Sequence, residues 1–361
     1  MGRRHFGAVR KLPSGYWQAS YMHEGQRHRA PKTFNTKSDA LAYLATIETD
    51  LRRGSWINPD LSETQFSVVA ERWVNSSASK RPSSVQRDLG ILNQHLLPIF
   101  GEKSIGAIRP AAIQTLIGTW VGEYSTSTIH RHYATLRSVF SYAESSEMIL
   151  KSPCRGIRLP KIRQIDRPIL TSDQLESLSE ALGPIDGLFM WCGATLGMRW
   201  SEVAGLTVNR LDLDGRTVMV DRQITRDGSF APPKSDAGSR MLGIPSWMAE
   251  DFSKLIEDFE KEPESLLFST DHGTPFSYPN WRQRNWLPAC KEVGLEGLRF
   301  HDLRSMAATA LVASGADVKT AQNRLGHSSS RMTLDIYARA TSEADRIAAD
   351  AVGHFLRPSR G

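Results

Sequence analysis

The spacing of apolar residues changes along this chain, which restricts it to several modules of different structure. Short alternating runs within the first 37 residues predict strands. Over 65–150, apolar residues recur every three or four positions, which predicts helices. Helical spacing returns after 170 and is interrupted by an alternating stretch at 211–224, with Asp214-Gly215 as its turn. The 361 residues therefore suit two or three domains rather than one.

The first module is predicted to be a small α+β domain. Its strands are expected at 6–12, 16–22 and 27–34, separated by turn-type residues at 13–15 and 24–25. A helix capped by Thr36 or Ser38 is expected to run to Leu51. Residues 54–63 are predicted to be a linker, so the module and its linker span 1–63.

Positive charge is concentrated in this module. The chain has a formal net charge of +6, but residues 1–37 alone carry +7 and the remainder −1. Aromatic and strand-type residues alternate with the cations, which favours a folded domain that contacts phosphates over a basic tail. The predicted DNA-contacting cations are Arg3, Arg4, Arg10, Lys11, Arg27, Arg29 and Lys32.

Residues 64–150 are predicted to form a four-helix domain. The cationic stretch 128–137 is expected to place His130, Arg131, His132 and Arg137 on one side, facing DNA. Residues 151–166 are rich in Pro, Arg and Lys and lack an apolar period, which predicts a linker whose Lys161 and Arg163 contact phosphates. Residues 167–361 are predicted to form the remaining, mixed α+β region.

Cysteine usage and hydropathy predict a soluble cytoplasmic protein. Three widely spaced cysteines, Cys154, Cys192 and Cys290, argue against a disulfide framework and a cysteine-rich zinc site. The most apolar run, 187–196, is too short to cross a bilayer, and no signal peptide is expected.

Four short motifs in the last region carry the chemistry. Arg199 and Glu202 lie three apart in TLGMRWSEVAGL, and HDLR places His301 and Arg304 one helical turn apart. LGH ends at His327, and Tyr337 follows ten residues later. Two arginines can neutralise the oxygens of a phosphodiester, the histidines can donate to the same oxygens, and a phenol can attack phosphorus.

The order Arg, HxxR, His, Tyr resembles the tyrosine recombinases, the integrases of temperate phages and integrative elements. The resemblance implies a multidomain, mainly α fold. Its parts would be a small α+β arm-type DNA-binding domain with a three-stranded sheet and a helix, a helical core-binding domain and a mixed α+β catalytic domain. The arm-type domain of such proteins lays its sheet in the major groove of DNA.

The same resemblance assigns a role to each motif. Arg199, His301, Arg304 and His327 would bind the scissile phosphate, with Glu202 orienting Arg199. Tyr337 would form a 3′-phosphotyrosyl link, and Lys234 in PPKSDAGSR would protonate the departing 5′ oxygen. No cofactor or metal is expected. The chain departs from the family pattern at Ser305, where a basic residue is frequent.

The implied partners are double-stranded DNA with core and arm attachment sites, other copies of the chain in a tetramer on DNA, a host DNA-bending protein and an excisionase. The expected location is the nucleoid of a bacterial host. A final helix at 340–355 is expected either to pack in the core or to dock on a neighbouring subunit. Three other functions stay open: a type IB topoisomerase, a resolvase of dimeric chromosomes and a catalytically inactive DNA-binding regulator.

Overall fold

The chain divides into two compact units, Met1–Gln164 and Ile165–Gly361. The computed structural model describes residues 6–162, 170–233, 235–326 and Leu334. Several predicted features lie outside the described residues: Arg3, Arg4, Arg163, Lys234, His327, Tyr337 and the helix expected at 340–355.

The N-terminal sheet and helix are confirmed. Strands β1 (Ala8–Lys11), β2 (Trp17–His23) and β3 (Gln26–Arg29) form an antiparallel sheet in that order. Helix α1 (Lys37–Arg52) begins at Thr36, whose hydroxyl accepts a hydrogen bond from the Asp39 amide at 3.1 Å. The apolar side of α1 packs on one face of the sheet, which leaves the other face open to solvent.

The segment predicted to be a linker, 54–63, contains regular structure. This segment contains a short helix, α2 (Pro59–Ser62), and Trp56 Nε1 donates to Tyr21 Oη at 2.9 Å. Leu61 packs against the helices that follow. Two isolated apolar residues anchor the segment, and so few contacts give no periodic signal in the sequence.

The predicted helical domain is also present. Its helices are α3 (Phe66–Ser76), α4 (Pro82–Ile91), α5 (Leu97–Phe100), α6 (Pro110–Trp120) and α7 (Thr126–Ser145). A single π-helical turn, Leu92–Leu96, joins α4 to α5 just before Pro98. Proline cannot donate the next helical hydrogen bond. The wider π-helical turn lets the helix continue beyond Pro98 without that bond. The apolar faces enclose one core that includes Phe66, Leu96 and Phe140.

The first part of the second predicted linker is attached to this bundle. Tyr133 Oη donates to the Cys154 carbonyl at 2.5 Å, and Gln114 exchanges two hydrogen bonds with the backbone of Arg158. The ring of His130 lies 2.8 Å from the Pro160 carbonyl oxygen. Residues 151–162 are therefore held by hydrogen bonds to their backbone and by Cys154, Ile157 and Leu159, which pack on the core of the helices. The hydrogen bonds leave no hydrophobic period in the sequence.

The second unit combines helices with two small sheets. Its helices are α8 (Ser172–Thr195), α9 (Trp200–Val203), α10 (Ser246–Asp258), α11 (Tyr278–Trp281), α12 (Leu287–Glu292), α13 (Phe300–Ala313) and α14 (Val318–Leu325). Its strands are β4 (Leu211–Asp212), β5 (Thr217–Val220), β6 (Gln223–Ile224), β7 (Phe230–Ala231) and β8 (Arg240–Gly243). Antiparallel sheets form in the orders β4-β5-β8 and β6-β7.

Helix α8 lies at the centre of this unit. Phe189 on α8 packs against the buried rings of Phe268 and Phe300 and the partly buried ring of Phe276. Helix α13 packs along α8, and α14 packs on both α13 and β8. This arrangement brings the ends of α8, α13 and α14 together with β8. Across the described ranges, no helix is long and apolar enough to cross a membrane.

Candidate active site

Arg199 follows a tight turn at the end of α8. The turn is made by Gly197, whose φ of 67° favours glycine and where an added Cβ would lie 2.8 Å from a methyl carbon of Leu325. Arg199 is the residue before α9, and its amide donates to Glu202 Oε2 at 2.9 Å. Its Nη1 donates to Glu202 Oε1 at 2.6 Å. The predicted Arg199–Glu202 pair is therefore confirmed, although Arg199 precedes the helix instead of sharing a helical face with Glu202.

Arg240, at the start of β8, is a member of the site that the motif analysis missed. Its Nη2 donates to Glu202 Oε2 at 2.9 Å and its Nη1 to Glu202 Oε1 at 3.4 Å. A sequence signal existed: alternation along β8 places Arg240 on the same buried side as Leu242. A buried arginine in a strand requires a partner, here a carboxylate 38 residues earlier.

Arg304 extends inward from α13, and the surrounding residues bury it almost completely, with 3% of its surface exposed. Its Nη1 donates to the Gly197 carbonyl at 2.5 Å, and its Nη2 donates to the Leu325 carbonyl. His301, one turn earlier at the start of α13, is exposed. The two residues of HDLR thus share a helix, but they differ in burial because one lies at the helix end and the other against α8 and α14.

The C-terminal end of α14 lies at the centre of the cluster. Three successive carbonyls, those of Arg324, Leu325 and Gly326, accept hydrogen bonds from Arg240 Nε, Arg304 Nη2 and Arg199 Nη2. The final carbonyls of a helix lack partners within the helix and carry partial negative charge. Gly326 ends the helix in the left-handed conformation, with φ 61°. His327 is the next residue in the chain.

The site carries excess positive charge. Among the described side chains hydrogen-bonded to these arginines, Glu202 supplies the carboxylate, so three guanidinium groups share one negative charge. Burial raises the pKa of Glu202, but Arg240 and Arg199 outweigh this effect and hold the pKa below its usual value. Burial and the nearby charge of Arg199 lower the pKa of Arg304 to about 9, which leaves it protonated at neutral pH.

The arrangement suits a tetrahedral oxyanion. The side chain of Arg199 is 29% exposed, whereas those of Arg240 and Glu202 are 6% and 2% exposed. Arg199 is therefore the solvent-facing member of a buried cationic cluster. A phosphate bound there would accept charge-assisted hydrogen bonds in a low-dielectric environment. In the part of the chain that the structure describes, no group of three or more His, Cys, Asp or Glu side chains is arranged to hold a metal ion.

The predicted DNA-contacting residues of the N-terminal module divide between two faces of the sheet. Strand pairing places Arg10, Arg27 and Arg29 on the open face, together with Gln18, Ser20 and Met22. Lys11 pairs with Trp17 on the alternate side, the side that α1 covers. Lys32 follows β3 and lies 5.8 Å from the centre of the Phe34 ring. The sheet thus presents one cationic face.

Of the helical-domain residues predicted to face DNA, two arginines are exposed and one histidine is buried. Arg131 and Arg137 on α7 are exposed, as is Lys161. His132 was expected beside them, but it is buried and its ring stacks on His95 with centroids 4.2 Å apart. The reason is that His132 falls on the apolar face of α7, between Ile129 and Leu136. His132 is a core residue, not a DNA contact.

Three parts of the chain match known protein families. Residues 168–344 match the phage integrase family, residues 5–53 the phage integrase N-terminal domain and residues 66–159 the phage integrase central domain.

Curated relatives match over nearly their whole length. A putative prophage phiRv2 integrase of Mycobacterium tuberculosis is 33% identical over 358 residues, which cover 95% of this chain and 94% of that protein. The integrase of Mycobacterium phage L5 is 27% identical over 380 residues, covering 99% of this chain and 100% of the relative.

Solved structures share the fold. The Tn1549 transposon integrase, in complex with transposon right end DNA, superimposes with a TM-score of 0.69 at 21% identity, covering 81% of this chain and 99% of that one. A lambda integrase dimer bound to a COC′ core site gives a TM-score of 0.60 at 17% identity, covering 93% and 96%.

Proposed function

The chain belongs to the phage integrase family, the tyrosine-type site-specific DNA recombinases, and we propose that Tyr337 is the nucleophile with which it cuts DNA. In this proposal Arg199, Arg304, His301 and His327 bind the scissile phosphate, and Glu202 orients Arg199. Lys234 protonates the departing 5′ oxygen, because an alkoxide is a poor leaving group. The tyrosine then holds the DNA through a 3′-phosphotyrosyl link.

The observation that carries this proposal is the buried cluster of Arg199, Arg240 and Arg304 around Glu202. The cluster has a surplus of two positive charges in a low-dielectric environment. Burying unpaired charges there costs free energy, so an anion that enters and pairs with them is bound strongly. The fork of Arg199 borders solvent, so it is the arginine that a phosphodiester reaches first. Preorganised donors of this kind stabilise the charge that develops on the non-bridging oxygens as tyrosine attacks phosphorus.

The chemistry is proposed to run as two rounds of strand exchange. Attack by Tyr337 breaks the bond from phosphorus to the 5′ oxygen and forms the phosphotyrosyl ester. The 5′ hydroxyl of the partner strand later attacks the same phosphorus and releases the tyrosine. Each step exchanges one phosphodiester for another, so the bond energy is retained in the protein–DNA link and no nucleotide cofactor is consumed.

We propose that the chain is organised as an arm-type domain with its linker at 1–63, a core-binding domain at 64–150, a linker at 151–166 and a catalytic domain at 167–361. The open face of the N-terminal sheet suits the major groove, which admits a β-ribbon. Its cations would read arm sites, while Arg131, Arg137, Lys161 and Arg163 would contact the backbone of core sites. Arg3 and Arg4 would extend the basic surface of the arm-type domain.

The active assembly is proposed to be a homotetramer on DNA, assisted by a host DNA-bending protein and an excisionase. The match to a lambda integrase tetramer bound to a Holliday junction supports the tetramer, with a TM-score of 0.58. The biological outcome would be integration and excision of a phage or other mobile element, carried out at the nucleoid of the host cell.

A strand-transfer assay tests this function. The purified chain is mixed with two duplexes that carry the attachment sites of its own element, in buffer containing EDTA. Recombinant joints are expected, and their appearance requires the attachment sequences. Relaxation of supercoiled plasmid that lacks attachment sites, without joints, would instead indicate a topoisomerase. Binding to the sites with neither activity would indicate a regulator.

A further inference from the structure

Among the described residues, Arg240 forms four hydrogen bonds, all of them to buried or partly buried acceptors within the protein. Its Nε donates to the Arg324 carbonyl at 2.8 Å, its Nη1 to the Gly238 carbonyl at 2.9 Å, and both terminal nitrogens reach Glu202. Its side chain is 6% exposed, compared with 29% for Arg199. Arg240 is therefore turned away from the opening at which a phosphate would enter.

These bonds join three separate parts of the proposed active site. Glu202 holds the guanidinium of Arg199, Gly238 lies on the segment that follows Lys234, and Arg324 belongs to the last turn of α14, just before His327. The approach is close: a Cβ added at Gly326 would lie 3.0 Å from Arg240 Nη1. A shift of Arg240 would therefore displace both Glu202, which holds Arg199, and the last turn of α14.

We propose that Arg240 is a positioning residue for strand cleavage: through Glu202 and the end of α14 it sets the orientation of Arg199 and the start of the segment that carries His327. This inference rests on the proposed function, since it concerns the same phosphate site. It predicts that Arg240 affects the cleavage step in complexes already bound to DNA, and that its effect passes through Glu202.

Lysine cannot replace this arginine. The guanidinium is a planar fork whose Nε and two terminal nitrogens point in three fixed directions. It uses these directions for the α14 carbonyl, the Gly238 carbonyl and the carboxylate at once. An ammonium keeps the positive charge that Glu202 requires, but it cannot span the same three acceptors. The substitution R240K therefore removes the geometry and keeps the charge.

The test measures single-turnover cleavage of a nicked duplex that carries the attachment site of the element, under conditions where all DNA is bound. R240K is expected to bind this DNA with an unchanged Kd and to form the covalent adduct about 10²-fold more slowly, since a misplacement of about 1 Å has this effect. The matched control is R210K, which alters a different Arg–Asp pair of the same unit, with Arg210 Nε 3.0 Å from Asp221 Oδ2. The control is expected to cleave at the parent rate.

A double-substitution cycle identifies the route of the effect. E202Q and R240K together are expected to cleave no more slowly than the slower single variant, because both remove one support of Arg199. Adduct formation by R240K within twofold of the parent, or fully additive losses in the cycle, would overturn the inference and leave the proposed function intact. Melting curves establish that each variant is folded at the assay temperature.

Two further outcomes are decisive. If R240K is unfolded at that temperature, R240Q takes its place with the same expectation, and unfolding of both would show that Arg240 serves stability alone. If the parent chain forms no covalent adduct with the nicked duplex, the proposed function fails, and the inference fails with it.

Discussion

Nη1 of Arg304 lies 2.5 Å from the carbonyl oxygen of Gly197, so the helix bearing the HDLR motif is tied to the turn that precedes Arg199. The two residues are 107 positions apart in the chain. Because the second terminal nitrogen binds the Leu325 carbonyl, Arg304 connects the ends of three helices, α8, α13 and α14. This arginine is structural as well as a proposed phosphate ligand.

We expect R304A to lower the free energy of unfolding by about 2–5 kcal/mol, since it leaves buried carbonyls without donors and removes a buried cation. R199A is expected to cost less stability, because the Arg199 side chain is partly exposed. Urea unfolding of both variants checks this order. If the two variants lose equal free energy of unfolding, the bonds from Arg304 to Gly197 and Leu325 contribute no more to stability than the bonds of Arg199.

The open face of the N-terminal sheet is expected to read DNA sequence. Arg10 Nε donates to Gln18 Oε1 at 3.0 Å, so the two side chains support each other on that face. R10A is expected to reduce the preference for an arm-site duplex over a scrambled duplex by about 1–3 kcal/mol. The matched control is K11A, which alters the neighbouring cation on the alternate side.

K11A is expected to weaken binding to both duplexes equally and to flatten the salt dependence of binding, because it removes one positive charge of the domain without altering the open face. Titrations of the full chain at several salt concentrations measure both effects. A loss of preference in K11A that equals the loss in R10A would contradict the assignment of the two faces.

Acid is expected to destabilise the helical domain through His132. Burial, together with the nearby charges of His95 and Arg131, lowers the pKa of His132 to about 4 from a usual 6.5. Between about pH 6.5 and about pH 4, His132 is protonated in the unfolded chain but neutral in the folded chain. Protonation therefore favours the unfolded state, and the free energy of unfolding falls as the pH drops through this range. Within the described residues, Nδ1 of this ring has no hydrogen-bond partner.

Unfolding followed by tryptophan fluorescence can report this effect, because Trp120 packs edge-on against His132. H132F is expected to flatten the pH dependence in that window, and H272F, at an exposed loop position, serves as its control. An unchanged slope in H132F would mean that other groups cause the acid sensitivity.

Lys234 provides a test of the proton donor. K234A is expected to slow cleavage by about 10²–10⁴-fold, the usual contribution of a general acid. Replacing the 5′ bridging oxygen by sulfur is expected to restore most of the rate, because a thiolate departs without protonation. R199A and R304A are not expected to be rescued, since they act on the non-bridging oxygens. Equal defects of K234A on both substrates would assign the proton to another group.

Local patterns in the sequence predicted the parts of the fold that depend on neighbouring residues. Helical spacing located α3, α6 and α7, and the three-residue separation of Arg199 and Glu202 predicted their pairing. Helical spacing also predicts that His132 is buried, because it lies on the same face of α7 as Ile129, Leu136 and Val139. Its neighbours in the cationic stretch obscured that signal.

Long-range contacts could not be predicted in this way. Arg240 depends on a carboxylate and a helix end that are distant in the chain, and the segment 151–162 is held by hydrogen bonds from Gln114 and His130 to its backbone. Neither arrangement leaves a period or a short motif. Alternation along β8 indicated that Arg240 is buried, but not which residues accept its hydrogen bonds.

Covalent trapping with Y337F tests the central claim most directly. The parent chain and Y337F are each incubated with a nicked duplex carrying the attachment site of the element, and adducts are separated under denaturing conditions. The parent is expected to form an adduct, whereas Y337F is expected to bind the duplex with the same Kd and form none, because only the nucleophilic oxygen is lost. An adduct formed by Y337F would contradict the assignment of Tyr337 as the residue that joins DNA.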